Sequence, residues 1–310
     1  MSTLKIDLPE LPYQEWNKER ITLHLILQII GKTRLKLTPR KNHWWYITSY
    51  PTAQGYTTGS IPCPDQISTI EIVLNVHEEE VQIHHSMGVT RKIPLFQGQT
   101  IATFYNRFME TLSRLNIHPN IIDKPYDMGV DTPFSEITEY HHYDKQYMQN
   151  VWKAMLWCSH VFKEFSGRYY GKTSPVQIYW HHMDLAITRF SGQKGPEMPK
   201  ESRISDKDAY SHEVISFGFW VGDDNTPEPT FYSYTYPSPD GLENKKLTPD
   251  YAQWVDANGS PMATLSYHEL LKEKEPRKVL LDFLESAYQA GATLRKWDID
   301  GNVVPSLDRM

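Results

Sequence analysis

A chain of 310 residues with 39% hydrophobic and 23% charged residues has the make-up of a globular protein, large enough to bury roughly three quarters of its unfolded surface. A net charge of -6, with no run of Lys or Arg longer than a pair, lacks the electrostatic footprint of a nucleic-acid or anionic-membrane binder. Two cysteines at no metal-ligand spacing, an N-terminus without a basic start and apolar stretch, and no apolar segment of spanning length point to a cytoplasmic protein with no membrane partner.

Residues 12 to 30 read as a helix, because Trp16, Leu23, Leu27 and Ile30 recur at steps of three and four while Gln14, Asn17, Lys18 and Glu19 take the other side. Gly31 is expected to stop it. Strands follow at Trp44–Ser49, Tyr56–Ile61, Ile70–Val76, Val81–His85 and Val89–Pro94. In the third, Ile70, Ile72, Leu74 and Val76 alternate with Glu71 and Asn75, the period of a half-buried strand, and His77-Glu78-Glu79-Glu80 turns it into the fourth. Residues 100 to 115 carry Ile101, Phe104, Tyr105, Phe108, Leu112 and Leu115 on one helical stripe, and residues 117 to 142 form a Pro- and Asp-containing connection.

The second half opens on a helix over about residues 144 to 166, with Val151, Met155, Cys158, Phe162 and Phe165 inward. Strands follow at Val176–Trp180, Leu185–Phe190, Val214–Trp220 and Thr230–Tyr236, with a polar loop at 191 to 208. Ser266 and Glu269 have the spacing of a capping box, and a last helix runs from about Arg277 to Thr293. Helix, strands, helix thus occurs twice. Trp16 precedes His24 as Trp152 precedes His160, Gly-Lys-Thr follows at 31–33 and at 171–173, and an aromatic-histidine segment comes next both times. These matches predict an α+β fold of two similar halves, residues 1–118 and 143–310, joined by 119–142, packed about a pseudo-twofold axis with a cleft between them.

Eight ordered segments carry a likeness to a known family: Leu11-Pro12-Tyr13 with Trp16, Thr22 to Leu25, Gly31 to Arg34, Asn42 to Trp45, Thr188 to Gly192, Tyr210 to Val214, Gly218 to Trp220 and Phe231 to Tyr234. Together they resemble the bacterial family called domain of unknown function 5996, over nearly the whole chain. The resemblance implies one shared architecture and brings no activity, cofactor or catalytic residue with it. His181-His182-Met183, where the family pattern has small residues, and Val221, where it tends to Pro, depart from it.

Gly167 to Thr173 is no phosphate-binding loop, because it has three residues between its glycines where four are needed and its helix comes before rather than after. Tyr210-Ser211-His212-Glu213, at the entry to a strand, is the preferred constellation. Histidine as a residue type is suited to proton transfer, and alternation sends Tyr210 and His212 to one side and Glu213 to the other. His43 and Trp45 offer stacking and hydrogen bonding to a flat ligand or simply fill the core. Arg34 and Arg189 each need a carboxylate, supplied by a ligand acid or, for instance, by Asp184. Tyr232, Tyr234 and Tyr236 share one strand face.

The leading expectation is a small polar-molecule site in the inter-half cleft, with His212, Tyr210 and Asp184 as the candidate acid/base group and Arg34, His43, Trp45, Arg189, Glu213 and Tyr234 as ligand contacts. One alternative is a non-catalytic module that docks a protein partner on an aromatic surface. A second is a metal-dependent enzyme, since His182, Asp184 and His212 have the composition of a two-histidine, one-carboxylate face. Neither a nucleophile elbow, a zinc-protease motif, a paired-cysteine motif nor a dinucleotide fingerprint occurs.

Overall fold

The computed structural model describes residues 8–305. Its axis is helix α1 (Tyr13–Leu37), in which every residue from Thr22 to Arg34 is buried. A helix buried all round, rather than along one stripe, lies inside the protein, and its polar side chains must find partners there. Gln28 donates to the Tyr126 carbonyl at 2.9 Å and accepts from the Tyr126 N–H at 2.7 Å. His24 Nε2 meets the Trp180 and His181 carbonyls at 3.0 and 3.1 Å, and Arg34 donates to the Thr48 carbonyl. Those bonds fasten three irregular segments to one helix. The stop expected at Gly31 does not occur. The Trp180 ring lies where a side chain at Gly31 would be, with a Cβ there coming within 2.1 Å of the indole, so the glycine serves a close approach and not a helix end.

The first half is an antiparallel meander in chain order, β1 (Tyr50–Thr52), β2 (Gly55–Pro62), β3 (Thr69–Asn75), β4 (Glu80–His85) and β5 (Val89–Pro94), followed by α2 (Ile101–Ser113). The second half begins with α3 (Lys145–Gly167) and holds β6 (Gln177–Tyr179), β7 (Asp184–Lys194), α4 (Ile204–Ala209), β8 (His212–Trp220), β9 (Thr230–Tyr236), β10 (Gln253–Ala257) and β11 (Ser260–Ser266). Its strands lie in the order β10-β11-β9-β8-β7-β6, and α5 (Tyr267–Leu271) and α6 (Pro276–Leu294) complete it. Ser266 caps α5 as its spacing predicts, accepting from the Glu269 N–H at 3.4 Å.

The fold is α+β with two similar halves. The leading edges of the two sheets meet where Ser49 and Ile178 exchange antiparallel backbone hydrogen bonds of 3.0 and 2.7 Å, the relation that a twofold axis between matching units produces. The likeness is one of elements and not of motifs: Gly31-Lys32-Thr33 lies inside α1, whereas Gly171-Lys172-Thr173 follows the end of α3. Two other expectations need correction, and one element was not expected at all. Trp44–Ser49 is not a strand. Asn42–Trp44 forms a 3₁₀ turn with His43 and Trp44 at φ 57° and 62°, and β1 starts only at Tyr50, because the aromatic rings are drawn toward α4 and β7 rather than along one sheet. The polar loop expected from residue 191 begins later, since β7 runs to Lys194 and α4 occupies part of the rest. The hairpin β10–β11 went unpredicted, although its Asn258-Gly259 turn, with φ 54° and 83°, is a strong hairpin signal. Among the described residues no helix is long and apolar enough to cross a membrane.

Candidate functional site

Alternation gives the six-stranded sheet two unlike faces. Ile187, Ile215, Phe217 and Phe219 turn toward α3 and α6 and are fully buried. Ala186, Thr188 and Phe190 of β7, Val214, Ser216 and Trp220 of β8, Tyr232 and Tyr234 of β9 and Thr264 of β11 turn the other way, into a cleft of about 2010 Å³. Its opposite wall comes from the first half and the connection: Arg20, His24 and Lys32 of α1, the turn at Trp44 and Trp45, and Tyr126 to Met128. The cleft therefore lies between the halves. It exceeds the ~300–1,000 Å³ of an ordinary ligand pocket, so a small molecule would fill one part of it.

Asp184 marks that part. It is the first residue of β7, opposite Tyr179 on one side and Trp220 on the other, and only 8% exposed. Its Oδ2 accepts the Tyr232 hydroxyl at 2.5 Å, while its buried Oδ1 has no partner. Burial raises its pKa, against the hydrogen bond from Tyr232 and the nearby His182. The Tyr232 hydroxyl is in turn held well above its usual pKa by burial and by Asp184. Tyr232 sits on β9, two strands away, and reaches Asp184 across Gly218, where a Cβ would fall 2.2 Å from the ring. A glycine inside a strand is a sequence signal for this kind of close approach. Beside the pair, the Tyr234 ring lies near-parallel to that of Tyr232, at 6.3 Å and 11°, and Tyr210, at the end of α4, donates to the Tyr234 hydroxyl at 3.4 Å. Thr188 and Ser216 share a hydrogen bond of 3.1 Å on the floor.

At the rim, His43 Nδ1 meets the Asp208 carbonyl at 3.2 Å, and its Nε2 stands 2.7 Å from Lys172 Nζ. A carbonyl only accepts, so Nδ1 carries the proton and Nε2 receives a hydrogen bond from Lys172. Burial first, and the Lys172 cation second, lower the pKa of His43 and keep the ring neutral. Lys172 is lowered too, by burial and by Lys41, and its ammonium lies over the Phe190 and Trp45 rings at 4.5 and 5.2 Å. The His212 ring stands edge-on to His43 with centroids 5.5 Å apart, and its Nδ1 is 3.1 Å from Ser211 Oγ.

The structure thus gathers Asp184, Tyr210, Tyr234, His43, Trp45 and His212 on the cleft side of the sheet and does not bring the other three expected contacts there. Arg189, an odd number of residues from Asp184 along β7, points to the helices, is 1% exposed, lies on the Phe165 ring at 3.6 Å and donates to the Phe165 carbonyl at 2.6 Å, with Glu285 at 3.9 Å. Neither a ligand acid nor Asp184 serves it. Glu213 also faces away, accepting from Arg295 and from Trp297 Nε1 at 3.1 Å. Arg34 is buried against Thr48 and the Tyr50 ring. The metal reading is likewise not assembled. His182 sits in the turn before β7 with its Nε2 3.3 Å from Asp127, and among the described residues no three His, Cys, Asp or Glu side chains converge as a metal set. Sequence reasoning missed Lys172 as a partner of His43, Gly218 and the two hydroxyls on the floor. Only Gly218 left a local signal.

A family model described as a family of unknown function, DUF5996, matches residues 8–303. No curated protein and no solved structure matches the chain.

Proposed function

We propose, for a chain that belongs to the DUF5996 family, that the inter-half cleft binds a small polar molecule. The observation that carries this reading is the buried Asp184 oxygen without a partner in a cleft of about 2010 Å³. Buried polar atoms are almost always hydrogen-bonded, so an unmet carboxylate oxygen on a side chain that lines the cleft supports a donor from outside the chain. The aromatic side chains support the same reading over a docking surface, because Trp44, Trp45, Tyr232 and Tyr234 line a concavity instead of a raised patch. A carboxylate-rich lining argues against nucleic acid, and two buried free thiols, Cys63 and Cys158, suit a reducing cytoplasm.

Native mass spectrometry of freshly purified protein, paired with thermal-shift screening of polar compounds, tests the proposal. A co-purified mass or a compound that raises the melting temperature, lost in Thr264→Trp where an indole fills the cleft beside Tyr232, is the expected result. Neither signal in the wild-type chain would refute it.

Acid/base chemistry at His212 is the second reading, favoured by the nearby neutral His43 ring. Glu213 is spent elsewhere, so among the described residues His212 has the Ser211 hydroxyl and no carboxylate as partner. His212→Ala should then abolish ligand effects while leaving the melting temperature in place; a lower melting temperature alone returns His212 to a structural role.

A further inference from the structure

We propose that the Asp184 end of this cleft recognises an ammonium group on an aromatic or aliphatic body, with Asp184 as its counter-ion and the rings of Tyr232 and Tyr234 as its wall; the inference rests on the ligand reading above. Three observations carry it. Asp184 is more than nine-tenths buried, lines the cleft and has one oxygen unmatched. Among the described residues no Lys or Arg pairs with it, and the three cations that line the same cleft have other partners: Arg20 with Asn17 and Tyr13, Lys32 with the Ile122 carbonyl, and Arg203 with the Tyr126 hydroxyl at 3.5 Å. Across the whole lining, carboxylates outnumber Lys and Arg side chains eight to three, so the cleft concentrates cations and repels anions.

The wall has the matching chemistry. The faces of aromatic rings carry negative charge density and attract cations, and Tyr232 and Tyr234 stand near-parallel beside the carboxylate. The hydrogen-bond count narrows the class further. Tyr232 already donates to Oδ2, which leaves Oδ1 as the oxygen with no donor at all. A guanidinium binds a carboxylate through two parallel bonds and would have to share Oδ2 with the Tyr232 hydroxyl, whereas an ammonium is served by Oδ1 alone. Gly218 is a positioning residue in this scheme, since without its bare Cα the Tyr232 hydroxyl could not reach across β8 to hold the carboxylate.

The test titrates the full chain with 2-phenylethylammonium, 2-phenylethylguanidinium, 2-phenylethanol and 3-phenylpropanoate, near-isosteric carriers that differ in the head group, followed by calorimetry and ligand-observed NMR. The ammonium should bind about tenfold more tightly than the alcohol and the acid, and more tightly than the guanidinium, as a charge-assisted bond to one oxygen predicts. Asp184→Asn should bring ammonium and alcohol to within about twofold, with the circular dichroism of the wild type; should that variant not fold, Asp184→Ser reads the same loss. If all four probes bind alike and Thr264→Trp blocks them together, the ammonium assignment falls while the cleft remains a binding site, and a tighter guanidinium overturns it equally. If no probe binds, or Thr264→Trp leaves the ammonium affinity unchanged, the cleft reading falls with it.

Discussion

The two faces of the second sheet use the same strands and opposite solutions to burying charge. Toward the helices, Arg189 has a carbonyl, three aromatic rings and Glu285 around it, and Glu213 has Arg295 and Trp297. Toward the cleft, Asp184 has one tyrosine hydroxyl and an oxygen left over. Each face keeps a buried polar atom unmatched, Arg189 Nε on one and Asp184 Oδ1 on the other, and what separates them is that Asp184 lines the cleft, where a ligand can supply the missing partner, whereas Arg189 is sealed under the helices. Residues of the same chemical type, read one at a time from a sequence, carry no mark of which case applies.

The comparison breaks first at Arg189. Arg189→Ala should remove about 3–5 kcal/mol of stability in urea unfolding, as the loss of one member of a buried charged cluster does, and should leave probe binding in the folded fraction untouched. Acid comes next. Burial, with Arg20 adding to it, pushes the pKa of His24 down to about 4. Above the ordinary value of 6.5 the ring is neutral in both states; as pH falls from there through about 4 the unfolded chain takes a proton that the folded chain refuses, so stability is lost in that window. The loss attributable to this ring should approach about 3 kcal/mol, and His24→Gln should flatten that part of the unfolding free energy measured at pH 7 and at pH 4.5.

A smaller effect is expected at Gly218→Ala, where the new methyl group displaces the Tyr232 ring and should lower stability by about 1–3 kcal/mol. The same variant should weaken the ammonium probe, an outcome that separates it from Arg189→Ala. Asp184→Asn closes the series. Its stability at neutral pH should stay within about 1 kcal/mol of the wild type or rise, because it removes a buried charge and keeps an acceptor for Tyr232. The sign follows from the raised pKa: the contribution of Asp184 is fully present below the ordinary carboxylate range and is lost as pH rises through its folded value. Melting curves of the two proteins should therefore converge in acid and separate toward neutrality. A large loss of stability in Asp184→Asn would erase the distinction between the two faces.

Much of the fold was legible because it is local. The apolar periods of β3, β8, β9, α2 and α3 and the cap at Ser266 depend on near neighbours, and the helix–strands–helix recurrence announced two halves. The expected strand at Trp44–Ser49 failed because β-forming residues there answer to distant partners: Trp44 Nε1 to the Ser205 carbonyl and His43 to Lys172 and Asp208. Gly31 was misread for the same reason, since the indole that requires it comes from Trp180.

Composition, strand alternation and helix period sufficed to establish two α+β halves and to send Tyr210 and Glu213 to opposite sides, because side-chain direction in a strand is a matter of parity; the same parity separates Asp184 from Arg189, which the sequence reading offers as partners. Which of those sides would be roofed by helices and which left open was decided only by the packing of α3 and α6 on one face and the approach of α1 and the connection over the other. Burial and access to open volume are properties of space rather than of neighbouring residues, and they alone seal Arg189 and Glu213 under the helices and leave Asp184 on the wall of the cleft.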